Sequence, residues 1–114
     1  MNASVKNRVQ LLGNLGKDPQ VMEVKSGKMA RISLATTEFR KTGKNEYETE
    51  TQWHNVVLWG KQAELAEKFL KKGSRVLIEG KIQNRSYQDK SGQKKYATDI
   101  VALDLVLLGG KPAA

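Results

Sequence analysis

Apolar and polar residues alternate with period two along most of this chain, and glycine-bearing turns separate the alternating runs. Val5 to Leu12 reads as a first strand, closed by "GNLGKDP" at 13–19. Gln20 to Lys25 is a short extended piece ended by a turn at "KSGK". Lys28 to Phe39 is a second strand, with Ala30, Ile32 and Leu34 on one face and Arg31 and Ser33 on the other. After a polar loop, "RKTGKNE", a third strand runs from about Tyr47 to Trp59. The period then changes in "KQAELAEKFLKKG". Leu65, Ala66, Phe69 and Leu70 fit a helical stripe, and Gly73 is placed to stop it. Lys68, Lys71 and Lys72 suit the negative end of that helix. Ser74 to Asp89 returns to strand: Val76, Ile78, Gly80 and Ile82 share one face, and Lys81, Gln83, Arg85 and Tyr87 the other. "DKSG" is a turn, and Gln93 to Leu108 is a last long strand.

Three strands, a helix and two strands predict an all-β protein with one helix. Its most economical form is a five-stranded OB-fold barrel with the helix between strands 3 and 4. The alternative is an open antiparallel sheet carrying one packed helix. A length of 114 residues fits one domain that buries enough surface to fold unaided. We place that domain at 1–110 and read 111–114 as a short tail. The chain has no cysteine, which excludes disulfides and thiolate metal sites. No apolar run is long enough for a signal peptide or a membrane span, so a cytoplasmic protein is expected. No cofactor and no metal are expected.

Charge changes the picture. Twenty Lys and Arg against twelve Asp and Glu leave a net charge of +8 and a pI near 9.8, which suits a polyanionic partner. Half of the excess lies in the segment 81–95, where Lys81, Arg85, Lys90, Lys94 and Lys95 face one acid, Asp89. This segment is an expected hairpin arm, and Tyr87 is in phase with Lys81 and Arg85. Cations neutralise phosphates, and flat aromatic faces stack on unpaired bases. A second mixed cluster is "FRKTGK", Phe39 with Arg40, Lys41 and Lys44. Taken alone, Phe39 reads as tucked beneath its loop. The third is "TQWHNVVLWGK" at 51–61, which holds both tryptophans and the only histidine. Alternation puts Trp53, Asn55, Val57 and Trp59 on one side of the strand. His54, Val56 and Leu58 take the other, which is the core side. Both tryptophans then face outward, near Lys61.

These residues, in this order, resemble the bacterial-type single-stranded DNA-binding protein (SSB) family. The likeness runs from about Val9 to Gly110. It rests on "GNLGKDP", "ISLATTE", "TQWHNVVLWGK", "LKKGSRVLIEGKIQNRSYQDKSG" and "LLGG" at family spacing. The resemblance implies an OB fold that binds and protects single-stranded DNA with little sequence preference. It also implies roles in replication, recombination and repair, and usually a homotetramer. Trp53, Trp59 and Tyr87 fall on stacking positions, Arg8, Lys61 and Arg85 on strand-contacting cations, and His54 on a position linked to subunit contacts. At the family's other stacking tryptophan this chain has Arg40, with Phe39 one residue earlier. One residue of displacement changes the face of a regular strand. Phe39 would therefore stack only if the strand bulges, with Arg40 the alternative for a base or phosphate. The family's acidic tip has no match at "GGKPAA", so tip-mediated replication and repair partners are not expected.

Rival readings are an RNA-binding barrel or a primosomal relative of the same class, a nuclease and a purely structural oligomer. The nuclease reading would use Glu46, Glu48 and Glu50, which alternate on one face, to hold Mg²⁺. It lacks a nucleophile and base pair, and one histidine offers little for acid–base work. Isolated surface acids are ordinarily a solvated face.

Overall fold

The structure is a computed structural model that describes residues 5–108. The short tail expected at 111–114 lies outside the described residues. So do the first and last few residues of the expected 1–110 domain.

A one-turn 3₁₀ helix, Val5–Asn7, precedes six strands and one helix. The strands are β1 (Val9–Leu15), β2 (Gln20–Val24), β3 (Gly27–Gly43), β4 (Glu46–Trp59), β5 (Arg75–Gln88) and β6 (Lys94–Leu108). The helix α1 (Lys61–Phe69) sits between β4 and β5. Neighbouring strands run β1-β5-β6-β4-β3-β2, and β1 also pairs with β3. That last pairing closes a five-stranded barrel of β1, β5, β6, β4 and β3, with β2 appended to β3. The OB barrel expected from the sequence is therefore present. The helix follows the fourth strand rather than the third because Gln20–Val24 is a full strand, paired residue for residue with 27–31.

Closure depends on β1 serving two partners. Val9 to Asn14 pair with β5, and Asn14 and Leu15 pair with β3. At the crossover, a Cβ on Gly13 would lie 2.2 Å from the Ala35 carbonyl oxygen, so only glycine allows this approach. The first strand therefore begins and ends later than the sequence pattern indicated. Its expected start at Val5 fails because Asn7 takes both backbone groups of Ile82 with its side-chain amide. The Asn7 Nδ2 donates to the Ile82 carbonyl at 3.0 Å, and the Ile82 N–H donates to Asn7 Oδ1 at 3.0 Å. A side chain thus substitutes for one step of the ladder, and the backbone turns away.

The core is the inward half of each alternation: Leu15, Ala30, Ile32, Leu34, Val56, Leu58, Val76, Ile78, Ile100 and Ala102. The helix caps it with Ala63, Ala66 and Leu70. Leu65 and Phe69, assigned to the stripe from sequence, are exposed instead. The two alanines carry little bulk, so this face comes closest to the barrel.

Beyond the barrel the paired hairpins β3–β4 and β5–β6 continue outward. The longest dimension is 54 Å and the radius of gyration 16.2 Å. A compact chain of this length would have a radius of about 13 Å. The excess measures the two projecting arms.

Candidate nucleic-acid interface

Directly paired residues on neighbouring strands point to the same face of a sheet, so the register traces one surface across the barrel. On β4 the outward set is Tyr47, Thr49, Thr51, Trp53, Asn55, Val57 and Trp59. Their partners on β3 are Lys41, Phe39, Thr37, Ala35, Ser33, Arg31 and Met29, with no register shift until after Lys41. Asn55 and Val57 also pair with Asp99 and Val101 of β6. Through β6 the same face reaches Lys81, Gln83, Arg85 and Tyr87 of β5, opposite Val101, Asp99, Ala97 and Lys95. The aromatics Trp53, Trp59, Phe39 and Tyr87 therefore share one outer surface with the cations Arg31, Lys41, Lys81, Arg85 and Lys95. All four rings are solvent-exposed: Trp53 61%, Trp59 44%, Phe39 78% and Tyr87 46%.

Phe39 needs no bulge to join this face. It pairs with Thr49 in unbroken register, whereas Arg40 points to the opposite side. It is also not tucked beneath its loop. Arg40 is engaged there: its guanidinium lies 2.8 Å from Glu48 and 3.7 Å from Glu50. Two of the three carboxylates weighed as a Mg²⁺ site are thus held by a cation. Among the described residues no three such side chains are arranged to hold a metal.

Trp53 is fixed by what lies beneath it. A Cβ on Gly16 would fall 2.4 Å from the indole Cζ3, so the ring rests directly on glycine backbone. Val57, between the two tryptophans on the same face, is buried, and Arg31 is its partner across the ladder. A half-buried arginine is thus paired with the strand position between the two tryptophans. The sequence showed its phase, opposite Ala30 and Ile32, but did not single it out.

Arg85 is held in place. Its Nε–H donates to Asp99 Oδ2 at 2.7 Å, and its guanidinium carbon lies 5.6 Å from the centre of the Tyr87 ring. Asp99 is 5% exposed and its Oδ1 has no hydrogen-bond partner. A buried carboxylate with half its acceptors unused is a costly way to stabilise a barrel. Its evident effect is to neutralise and aim Arg85.

The remaining cations expected from the sequence are more scattered. Arg8 reaches Glu79 at 3.6 Å. Lys44 and Lys90 are exposed in the turns of the two arms, and Lys94 lies on the far side of the β5–β6 arm from Tyr87. Lys61 is the first residue of α1, where the helix dipole disfavours a cation. Helix stability therefore does not account for it. His54 faces the core side, and its Nε2 is 2.9 Å from the Thr36 hydroxyl. Two exposed tyrosines were not singled out from sequence: Tyr47, on the tryptophan face, and Tyr96, on the back of the second arm.

A small closed barrel carrying an unbroken aromatic and basic surface is an oligonucleotide-binding type of module. The model of the single-strand binding protein family matches residues 6–108, and the chain belongs to that family. "Single-stranded DNA-binding protein 1" of Chlorobaculum tepidum is 46% identical over 107 residues, 92% of this chain and 66% of that protein. The "Single-stranded DNA-binding protein" of Xanthomonas campestris pv. campestris is 43% identical over 106 residues, 92% of this chain and 62% of that one. The chain spans roughly three-fifths to two-thirds of the length of these curated relatives. A solved structure of the Plasmodium falciparum SSB complex with ssDNA superposes with a TM-score of 0.80 at 33% identity. The match covers 95% of this chain and 99% of that one.

Proposed function

We propose that this protein binds single-stranded DNA without sequence preference, coating and protecting it during replication, recombination and repair. The observation that carries the reading is the single face on which the register assembles Trp53, Trp59, Phe39 and Tyr87 with Arg31, Lys41, Lys81 and Lys95. Stacking accepts any base, because every base has a π-face, and contributes about 1–3 kcal/mol per base. Cations not committed to carboxylates do the electrostatic work. Lys41, Lys44, Lys61, Lys81, Lys90 and Lys95 make no ion pair among the described residues, and each phosphate they neutralise releases counterions. Arg8 extends the basic rim beside Glu79, from which a phosphate would draw it, whereas Arg40, on the opposite side of its hairpin, stays with Glu48 and Glu50. Paired bases cannot reach the aromatics, so duplex binds weakly.

The active form in this reading is a homo-oligomer, most simply a tetramer, with His54 near a subunit contact. Leu12, Leu77 and Val106 support it: they form an outward apolar row across β1, β5 and β6, and the two outer members are 46% and 44% exposed. The role in this reading is binding rather than catalysis; two of the acids weighed for Mg²⁺, Glu48 and Glu50, are engaged by Arg40. No helix among the described residues is long and apolar enough to cross a membrane. The site of action in this reading is cytoplasmic, either at a bacterial nucleoid or on phage or plasmid DNA.

Fluorescence anisotropy of a labelled oligo-dT, competed by matched duplex and by matched RNA, tests the reading. Strong competition only from unlabelled single-stranded DNA is expected. Equal competition by duplex would overturn it, and preference for RNA would move the protein to the rival RNA-binding class.

A further inference from the structure

The β5–β6 arm has a second side that the proposed binding face does not use. Tyr87 pairs with Lys95 on the front, and Tyr96 pairs with Ser86 on the back. Where the back of the arm leaves the barrel it turns polar. Ile82 and Ile100 are followed by Asn84 and Thr98, which share a 2.8 Å hydrogen bond, and then by Ser86 with Tyr96 and Gln88 with Lys94. This is not an apolar face waiting for a protein cover. At its end Tyr96 is 72% exposed, and the Lys94 ammonium lies 5.7 Å from the centre of its ring. The front of the arm carries the same arrangement in Arg85 and Tyr87, at 5.6 Å. Each pair is a cation and an aromatic two residues apart on one strand, and the two pairs occupy opposite faces.

Building on the single-stranded DNA reading above, we propose that Tyr96 and Lys94 form a second contact for single-stranded nucleic acid. The strand leaves the barrel face at Tyr87 and wraps the arm, so that a further base stacks on Tyr96 while Lys94 meets its phosphate. Charge selects this occupant over a second arm of the same protein. The arm, with five cations against Asp89 over residues 81–95, would repel its own copy and attract a polyanion.

The test uses the intact chain and two oligo-dT probes. One is about 8 nucleotides long, within the span of one barrel, and the other is about 35. Tyr96→Ala should bind the short probe as the unaltered protein does and lose about tenfold on the long one. Tyr96→Phe keeps the ring and should restore binding. Lys94→Gln should flatten the salt dependence on the long probe alone, by about 0.7 in slope. Unchanged binding of both probes by Tyr96→Ala overturns the proposal. So does a changed oligomeric state with binding intact, which would assign the face to a protein contact. If the unaltered protein binds neither probe, the single-stranded DNA reading itself fails.

Discussion

The β3–β4 and β5–β6 hairpins both run out past the barrel, yet they spend their charges differently. Residues 39–50 hold Arg40, Lys41 and Lys44 against Glu46, Glu48 and Glu50, so that arm is neutral. Its back is stitched by Arg40 to Glu48 and Glu50, which leaves Phe39, Lys41 and Tyr47 on the front. The second arm carries a net excess of four cations over residues 81–95. Only Arg85 is neutralised, by a carboxylate buried at the arm's root. In the first arm one cation, Arg40, and two acids hold the hairpin together, and of its cations only Lys41 and Lys44 are left over. Charges in the second are left for a partner. Counting lysines and arginines does not separate these uses; pairing does.

The largest effect belongs to the surface between the arms. Trp53→Ala should weaken oligo-dT binding by about 1–3 kcal/mol, roughly 5- to 150-fold, with the fold intact because the ring is exposed. Phe39→Ala, on the neutral arm, should fall at the low end of that range. Affinities by anisotropy, with circular dichroism as the folding control, decide this. Unchanged affinity for both variants would make the aromatic face ornamental.

Salt dependence separates the arms next. Replacing Lys81, Lys90 and Lys95 together by Gln should reduce the slope of log K against log[salt] by about 2. Arg40→Gln should leave the slope nearly unchanged, because its charge is already matched by Glu48 and Glu50. A large change in slope from Arg40→Gln would erase the distinction. Asp99→Asn probes the arm's root. It frees the Arg85 charge while keeping a side-chain acceptor, and the slope should steepen by about 0.7. An unaltered slope would mean that Arg85 already meets phosphate with Asp99 in place.

The smallest effect is on the turn of the basic arm. Asp89 accepts from the Ser91 hydroxyl and from the backbone N–H groups of Ser91 and Gln93. The Ser91 hydroxyl and then the Gln93 N–H hold its carboxyl below the usual value. A folded pKa below the unfolded one means stabilisation present above the ordinary carboxylate range and lost as pH falls through the folded value. Amide shifts of Ser91 and Gln93 should therefore move together only once pH falls below the ordinary aspartate range. The β3–β4 turn, built on Asn45 at φ 64°, should not follow them.

Much of this was legible in the sequence, because alternation reports a strand's two faces directly. Ala30, Ile32, Leu34, Val56, Leu58, Val76 and Ile78 line the core as their phase required, and Trp53 and Trp59 face outward. What escaped depends on partners distant in sequence. Asn7 delays the start of the first strand by bonding Ile82, 75 residues away. Phe39 joins the tryptophan face through its register with Thr49, where family spacing pointed to Arg40. The helix buries Ala63 and Ala66 rather than Leu65 and Phe69, because close approach favours small residues over apolar ones. Arg31 and Tyr96 looked ordinary in the chain. Only the assembled sheet shows what stands beside each.

The central claim is that exposed tryptophans and unpaired lysines act together on unpaired bases. Tryptophan fluorescence titrated with poly-dT over a series of salt concentrations tests it most directly. Strong quenching is expected, with none on adding duplex of equal charge. Neutralisation of about five phosphates per subunit should give a salt slope near −3.5. Fluorescence indifferent to poly-dT, or a slope near zero, would contradict the account.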